Sequence, residues 1–198
     1  MTDYYEDVYE DLYQAGYRNK DVNNGATFLD YVLKHFKFKS FLDVGCSTGV
    51  GVQTVTNENI IARGIDISET AIRLARERGR QCEVGSICDI PFVNGIFDMV
   101  FSSDVMEHMK PEDIDTALKE LHRVSRKYIA MVIALKKDKC IGCRTWFKKC
   151  KLPNERLHLS ILSPEEWIDK INNLGMDIIY KKVTDKKSKH LLLILEKQ

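Results

Sequence analysis

Residues 41 to 51 read FLDVGCSTGVG, and no other stretch limits the fold as strongly. Apolar residues lead into Asp43, and glycines follow at 45, 49 and 51 among small side chains. A strand that ends in such a run must turn sharply, and the chain beyond it resumes as a helix. Gly45 suits the positive φ of a tight strand-to-helix turn, and Gly49 lets backbone pass close to a ligand. In an open α/β sheet a turn of this kind stands at the carboxyl end of a strand, where ligands bind. The spacing excludes two ligand classes. Gly45 is followed by Cys46, Ser47 and Thr48 before Gly49, so the G-x-G-x-x-G of dinucleotide sites is missing. The Lys-Ser/Thr of a triphosphate loop is missing as well.

The rest of the chain agrees with an α/β reading. Tyr5, Val8, Tyr9, Leu12 and Tyr13 recur at helical spacing, and Gly16 ends that helix. Asn23 or Asn24 is expected to cap a second helix carrying Phe28, Val32, Leu33 and Phe36. Strands are expected at 40–44, 60–66, 81–85, 97–102 and 128–135, with helices at 50–57, 69–79 and from Pro111 to about Ser125. Ser68 caps the helix at 69–79, and Ser163-Pro164-Glu165-Glu166 opens a late helix that stops at Gly175. Strands 176–183 and 190–195 flank a short turn and form an antiparallel pair at one edge. Strands alternating with helices predict a mostly parallel sheet with helices on both faces.

Composition excludes other classes. The 198 residues suffice for one domain with a real core. Thirty Lys and Arg against 29 Asp and Glu leave a net charge of +1, no footprint for nucleic acid or an anionic membrane. No apolar run approaches the ~20 residues of a membrane span. The acidic opening MTDYYEDVYED reads as neither signal nor transit peptide. Six scattered cysteines form no disulfide framework, so a reducing, cytoplasmic setting is expected.

Asp66, in GIDIS, ends the second strand 21 residues after Gly45. An acid there suits a pair of ribose hydroxyls, because a carboxylate accepts two hydrogen bonds at once. With LDVGCSTG, GIDIS, GSICDIPF and FDMVFSSDVMEHM in order, residues 40–135 resemble the class I S-adenosylmethionine-dependent methyltransferases. They are most similar to the small single-domain ones that act on metabolites or sugars. The resemblance implies a Rossmann-like, seven-stranded sheet with an antiparallel strand near one edge, and S-adenosylmethionine as co-substrate. It implies that Asp43, Gly45 and Gly49 cradle the methionine part, with backbone contacts from Cys46 and Ser47. Asp66 would hold the ribose, Ile67 and Ile87 would border the adenine, and Ser86 would stand where the family often has an aspartate. Ser102 would meet the cofactor's amino acid through its carbonyl. Serine at 47, where the family commonly has glycine, demands ordinary backbone angles or a small strain cost.

A sulfonium carries an already activated methyl, so the protein must align the partners, exclude water and, for a weakly acidic hydroxyl, supply a base. His108, beyond the fourth strand, and His158, before the late helix, are the candidates, since imidazole titrates near neutrality. Structural roles are the alternative for both. Residues 136–158 form a basic insertion. Its Cys140, Cys143 and Cys150, with His158, would offer zinc three sulfurs and a nitrogen, but the second half lacks a standard knuckle. A solvated basic loop, or one attracting an anionic substrate through Arg144, Lys148 and Lys149, is the preferred reading. Residues 1–38 form a helical extension, either a lid with Tyr13, Tyr17 and Arg18 nearest the site or plain packing. Residues 39–135 form the cofactor core and 159–198 the closing helix and strand pair. Methyl transfer to oxygen or nitrogen of a small acceptor is expected. Alternatives are a nucleic-acid methyltransferase and a silent cofactor-binding subunit.

Overall fold

The run SFLDV buries four of its five residues because it lies inside a sheet covered on both faces. The computed structural model describes residues 4–17, 25–136, 157–184 and 189–198. In chain order these contain α1 (Tyr4–Gln14), α2 (Ala26–His35), β1 (Ser40–Val44), α3 (Val50–Thr56), β2 (Ile61–Asp66), α4 (Glu69–Glu77) and β3 (Cys82–Val84). Next come β4 (Phe97–Ser103), a 3-10 turn at Met106–His108, α5 (Ile114–Val124), β5 (Ser125–Ala134), α6 (Pro164–Asn172), β6 (Met176–Val183) and β7 (His190–Lys197). The strands form one seven-stranded sheet in the order β3-β2-β1-β4-β5-β7-β6. β1 to β5 pair in parallel, while β7 is antiparallel to both β5 and β6. The expected antiparallel pair stands at one edge, with β7 between β5 and β6: β7 is the single reversed strand, and β6 runs with the others.

Alternation along β5 divides the core. Ile129, Met131 and Ile133 face a cluster that includes Leu118 and Leu121 of α5 and Trp167 and Ile171 of α6. Tyr128, Ala130 and Val132 face Phe28 and Val32 of α2, Val52 of α3 and Ile72 of α4. Each large side chain so buried contributes roughly 1.5–3 kcal/mol. Ser68 caps α4 as expected, its hydroxyl accepting the Ala71 N–H at 3.1 Å. Ser163 and Glu166 close a reciprocal capping box on α6.

Two helix starts differ from expectation. Gly25, with no side-chain cap, precedes α2; Asn23 and Asn24 lie outside the described residues. A Cβ at Gly25 would come within 2.6 Å of Ser103 Oγ, so glycine lets α2 butt against β4. Helix α5 starts at Ile114, not Pro111. Tyr5 explains the delay: its hydroxyl donates to Asp113 Oδ2 at 2.6 Å and accepts the Lys110 N–H at 2.6 Å. Those bonds hold 110–113 as a separate turn and occupy the side chain that would have capped the helix.

Strand order reverses between β1 and β4, which opens a crevice beyond their carboxyl ends. The glycine turn forms one side of it. The segment after β4 forms the other.

Candidate functional site

The glycine turn is built by backbone contacts. The N–H groups of Gly45 and Cys46 both donate to Ile65 O, at 2.8 and 2.9 Å. Gly45, Ser47 and Gly49 have φ of 76°, 53° and 76°. Ser47 thus carries the strain that serine implied, of order 1 kcal/mol, and two hydrogen bonds offset it. Its N–H donates to Asp66 Oδ2 at 2.8 Å, and its Oγ accepts from Tyr13 Oη at 2.5 Å. A Cβ at Gly45 would stand 2.3 Å from Val105 Cγ2, and one at Gly49 2.7 Å from Cys82 Sγ. The close approach that requires Gly49 therefore comes from β3, not from a ligand. Gly51 is needed too, because its Cβ would lie 2.4 Å from Asp43 Oδ2.

Asp66 ends β2 with its carboxylate nearly buried. Oδ1 accepts the Ser68 N–H at 3.0 Å, so both oxygens are oriented by the chain. Asp43 lies behind it. Burial, and then the Asp66 charge, raise the Asp43 carboxyl to about 7. Burial also raises the Cys46 thiol, and Cys46 packs its sulfur into the core beside Gly64.

Helix α1 roofs this crevice. Tyr5, Tyr9, Tyr13 and Tyr17 all line the cavity. Glu10 fixes the helix to the start of α4: it accepts from Ser68 Oγ at 2.8 Å, Thr70 N at 3.0 Å and Thr70 Oγ1 at 2.5 Å. Burial alone would raise the Glu10 carboxyl, but these bonds, with one from Gln14, hold it near 2.

The opposite wall comes from two segments far apart in sequence. Glu107 O accepts the N–H groups of Leu159 and Ser160, at 2.9 and 3.0 Å, and Ser160 Oγ donates to Met109 O at 2.7 Å. This pairing brings the His108 and His158 rings to 4.8 Å between centroids at 83°. His108 also meets the edge of Tyr9, at 5.8 Å. The Glu107 side chain is fully buried. Burial, and then the neighbouring Asp104 charge, push its carboxyl well above the usual range.

The cavity between these walls has about 710 Å³ of space, part of it open to solvent. Of the residues singled out in the sequence, Gly45, Ser47, Asp66, Ile67, Ser86, Ile87 and His108 line it. Asp43, Cys46, Gly49 and Ser102 stand behind the lining, and Ser103 and Asp104 take the wall position expected of Ser102. His158 is reached through His108. Cys140, Cys143, Cys150, Arg144, Lys148, Lys149 and Arg18 lie outside the described residues. Sequence reasoning missed Glu10 and the carboxylate of Glu107. Acidic residues in the first helix were visible, but nothing local marked Glu10 among them.

An acid-lined cavity floored by Ile67 and Ile87 and roofed by tyrosines suits a ligand with a cationic end and a flat ring. Residues 42–131 match the family model described as a methyltransferase domain. Ajmaline N-methyltransferase from Rauvolfia serpentina is 29% identical over 106 residues, which is 49% of this chain and 36% of that enzyme. The chain thus spans about a third of the length of the curated relatives it matches. Magnesium protoporphyrin IX methyltransferase from Synechocystis PCC 6803, solved with bound SAH, superposes with a TM-score of 0.70 at 16% identity, covering 98% of this chain and 97% of that one. A TehB-like SAM-dependent methyltransferase from Corynebacterium glutamicum gives 0.66 at 15% identity, covering 96% and 94%. Residues 42–131 are thus similar to a methyltransferase domain, and the chain shares its fold with those solved methyltransferases.

Proposed function

We propose that the protein transfers a methyl group from S-adenosylmethionine to an oxygen or nitrogen of a small acceptor. The observation that carries this reading is the oriented, nearly buried Asp66 carboxylate at the end of β2, in the crevice where strand order reverses. Asp66 receives the ribose hydroxyls on its carboxylate. Ile67 and Ile87 sandwich the adenine region, and Ser86 faces its edge. Asp43 supplies negative charge behind the turn toward the amino group of the methionine part. Ser47 and Gly45 form the wall along it.

S-adenosylmethionine supplies an activated methyl when bound. This chain's residues bind, orient and exclude water. Helix α1 acts as a lid: Tyr13 closes on the glycine turn, and Glu10 closes on the start of α4. His108 and His158 border the acceptor's position, where an imidazole can take the proton lost on methylation. The absence of a nucleic-acid charge footprint supports a small acceptor, and the N-methyltransferase relative supports a nitrogen or a similar nucleophile.

Isothermal calorimetry with S-adenosylmethionine and S-adenosylhomocysteine tests the reading. Micromolar binding of both is expected. No binding at millimolar ligand overturns it. A labelled-methyl assay over amines, phenols and sugars then names the acceptor.

A further inference from the structure

We propose that Glu107, His108 and His158 form a site for one divalent first-row transition-metal ion, on the acceptor wall of the cavity. One donor atom from each lies within 4.8 Å of the others, and His108 Nε2 stands 3.8 Å from Glu107 Oε1. Donors around one metal at about 2.1 Å sit roughly 3–3.5 Å apart. Small side-chain rotations close the difference.

The histidines are held in the tautomer a metal requires. His108 Nδ1 meets Leu157 O at 2.8 Å, and His158 Nδ1 meets Lys136 O at 2.6 Å. A carbonyl only accepts, so each Nδ1 carries a proton, and in the neutral ring the lone pair stands on Nε2. A backbone carbonyl behind the other ring nitrogen is the usual support of a ligating histidine.

Glu107 is the independent observation. Its side chain is fully buried, and neither carboxylate oxygen has a hydrogen-bond partner among the described residues. Burying an unpaired carboxylate is expensive, and native structures rarely leave one. A divalent cation would give that carboxylate a partner.

Two nitrogens and one carboxylate select zinc, manganese, iron(II), cobalt or nickel over calcium and magnesium, which prefer all-oxygen shells. Three protein donors leave positions for solvent or substrate, the pattern of catalytic rather than structural sites. His108 and the adjacent Asp104 line the cavity, so those positions face the space beside the proposed methyl donor. An acceptor hydroxyl bound there would lose its proton more readily, which replaces the general-base role of the two imidazoles, whose Nε2 lone pairs the ion occupies. That role rests on the methyl-transfer reading, whereas the site itself does not.

The test strips the full chain with chelator and titrates it with zinc and with cobalt, following heat and the cobalt spectrum. One equivalent should bind, without a sulfur-to-cobalt charge-transfer band. E107Q and H158A should each weaken binding by at least roughly 100-fold, while C140S/C143S/C150S leaves it unchanged. Circular dichroism shows which variants fold, and H158A, on a connecting segment, keeps the test open if E107Q does not. No binding overturns the proposal. So does binding that persists in folded H158A and disappears with the cysteines. S-adenosylhomocysteine titrated in parallel separates the two readings: metal without nucleoside leaves the site standing and removes the methyl-transfer role.

Discussion

The two walls of the cavity are made differently. On the wall from β1 and β2, polar groups are bound by near neighbours. Asp66 is oriented by Ser47 and Ser68, and Ser68 by the helix it caps. On the wall beyond β4, partners come from far away. His108 is fixed by Leu157, 49 residues distant, and the Glu107 carboxylate has no hydrogen-bond partner among the described residues. The first wall is complete before any ligand arrives. The second is assembled by tertiary contacts and has binding capacity left over. A shape ready in advance suits an invariant ligand, and the less satisfied wall is where acceptors can differ.

That contrast can be broken. Asp66→Ala should have the largest effect: loss of the ribose partner and of the anchor for Ser47 should weaken cofactor binding by at least roughly 100-fold, from charged hydrogen bonds of about 1.5–3 kcal/mol each. Unchanged affinity by calorimetry would remove Asp66 from the binding role. His108→Ala should lower turnover by roughly 100-fold, the scale of acid–base assistance, with cofactor affinity within about twofold by the same calorimetry. Equal losses in both would merge the two walls into one functional unit.

Smaller effects sharpen the picture. Asp43 titrates near 7 in the fold, far above an ordinary aspartate at 3.8. The folded state therefore holds the proton more tightly, and Asp43 subtracts stability as pH rises from about 4 to 7. Asp43→Asn should raise the melting temperature of the ligand-free protein by a few degrees at pH 8, with the gain vanishing toward pH 4, while weakening cofactor binding. A lower melting point at pH 8 would contradict the burial argument. Glu10 behaves in the opposite sense. Its carboxyl is held near 2, so the attachment of α1 is complete above about pH 4.5 and is lost as pH falls toward 2. Glu10→Gln should loosen α1 by about 1 kcal/mol, read as faster amide exchange in residues 4–14. Exchange unchanged from wild type would place the attachment elsewhere.

The first wall was legible because its determinants are short-range. The apolar run leading into Asp43 announced β1, whose residues 41–44 are all buried, and Ser68 announced its helix. Even there, one cause was hidden: Gly49 is demanded by Cys82, and only the packing of β3 shows it. The second wall was half legible. His108 and His158 stood out as residue types, but 50 positions of sequence gave no sign that they meet. Glu107 read as one more acid beside a histidine, because a 3-10 turn shows no helical or strand periodicity. The late start of α5 was hidden for the same reason, since its cause, Tyr5, lies more than a hundred residues away.

The close pair of Asp43 and Asp66 has a further consequence, for the heat of binding. Near pH 7, Asp43 carries about half a proton. A ligand bringing an ammonium group to that end of the cavity expels it, and the surrounding buffer takes it up. Titrations in phosphate and in Tris should therefore give one affinity but two enthalpies. Their difference counts the protons released and reports, without any label, which end of the ligand has arrived.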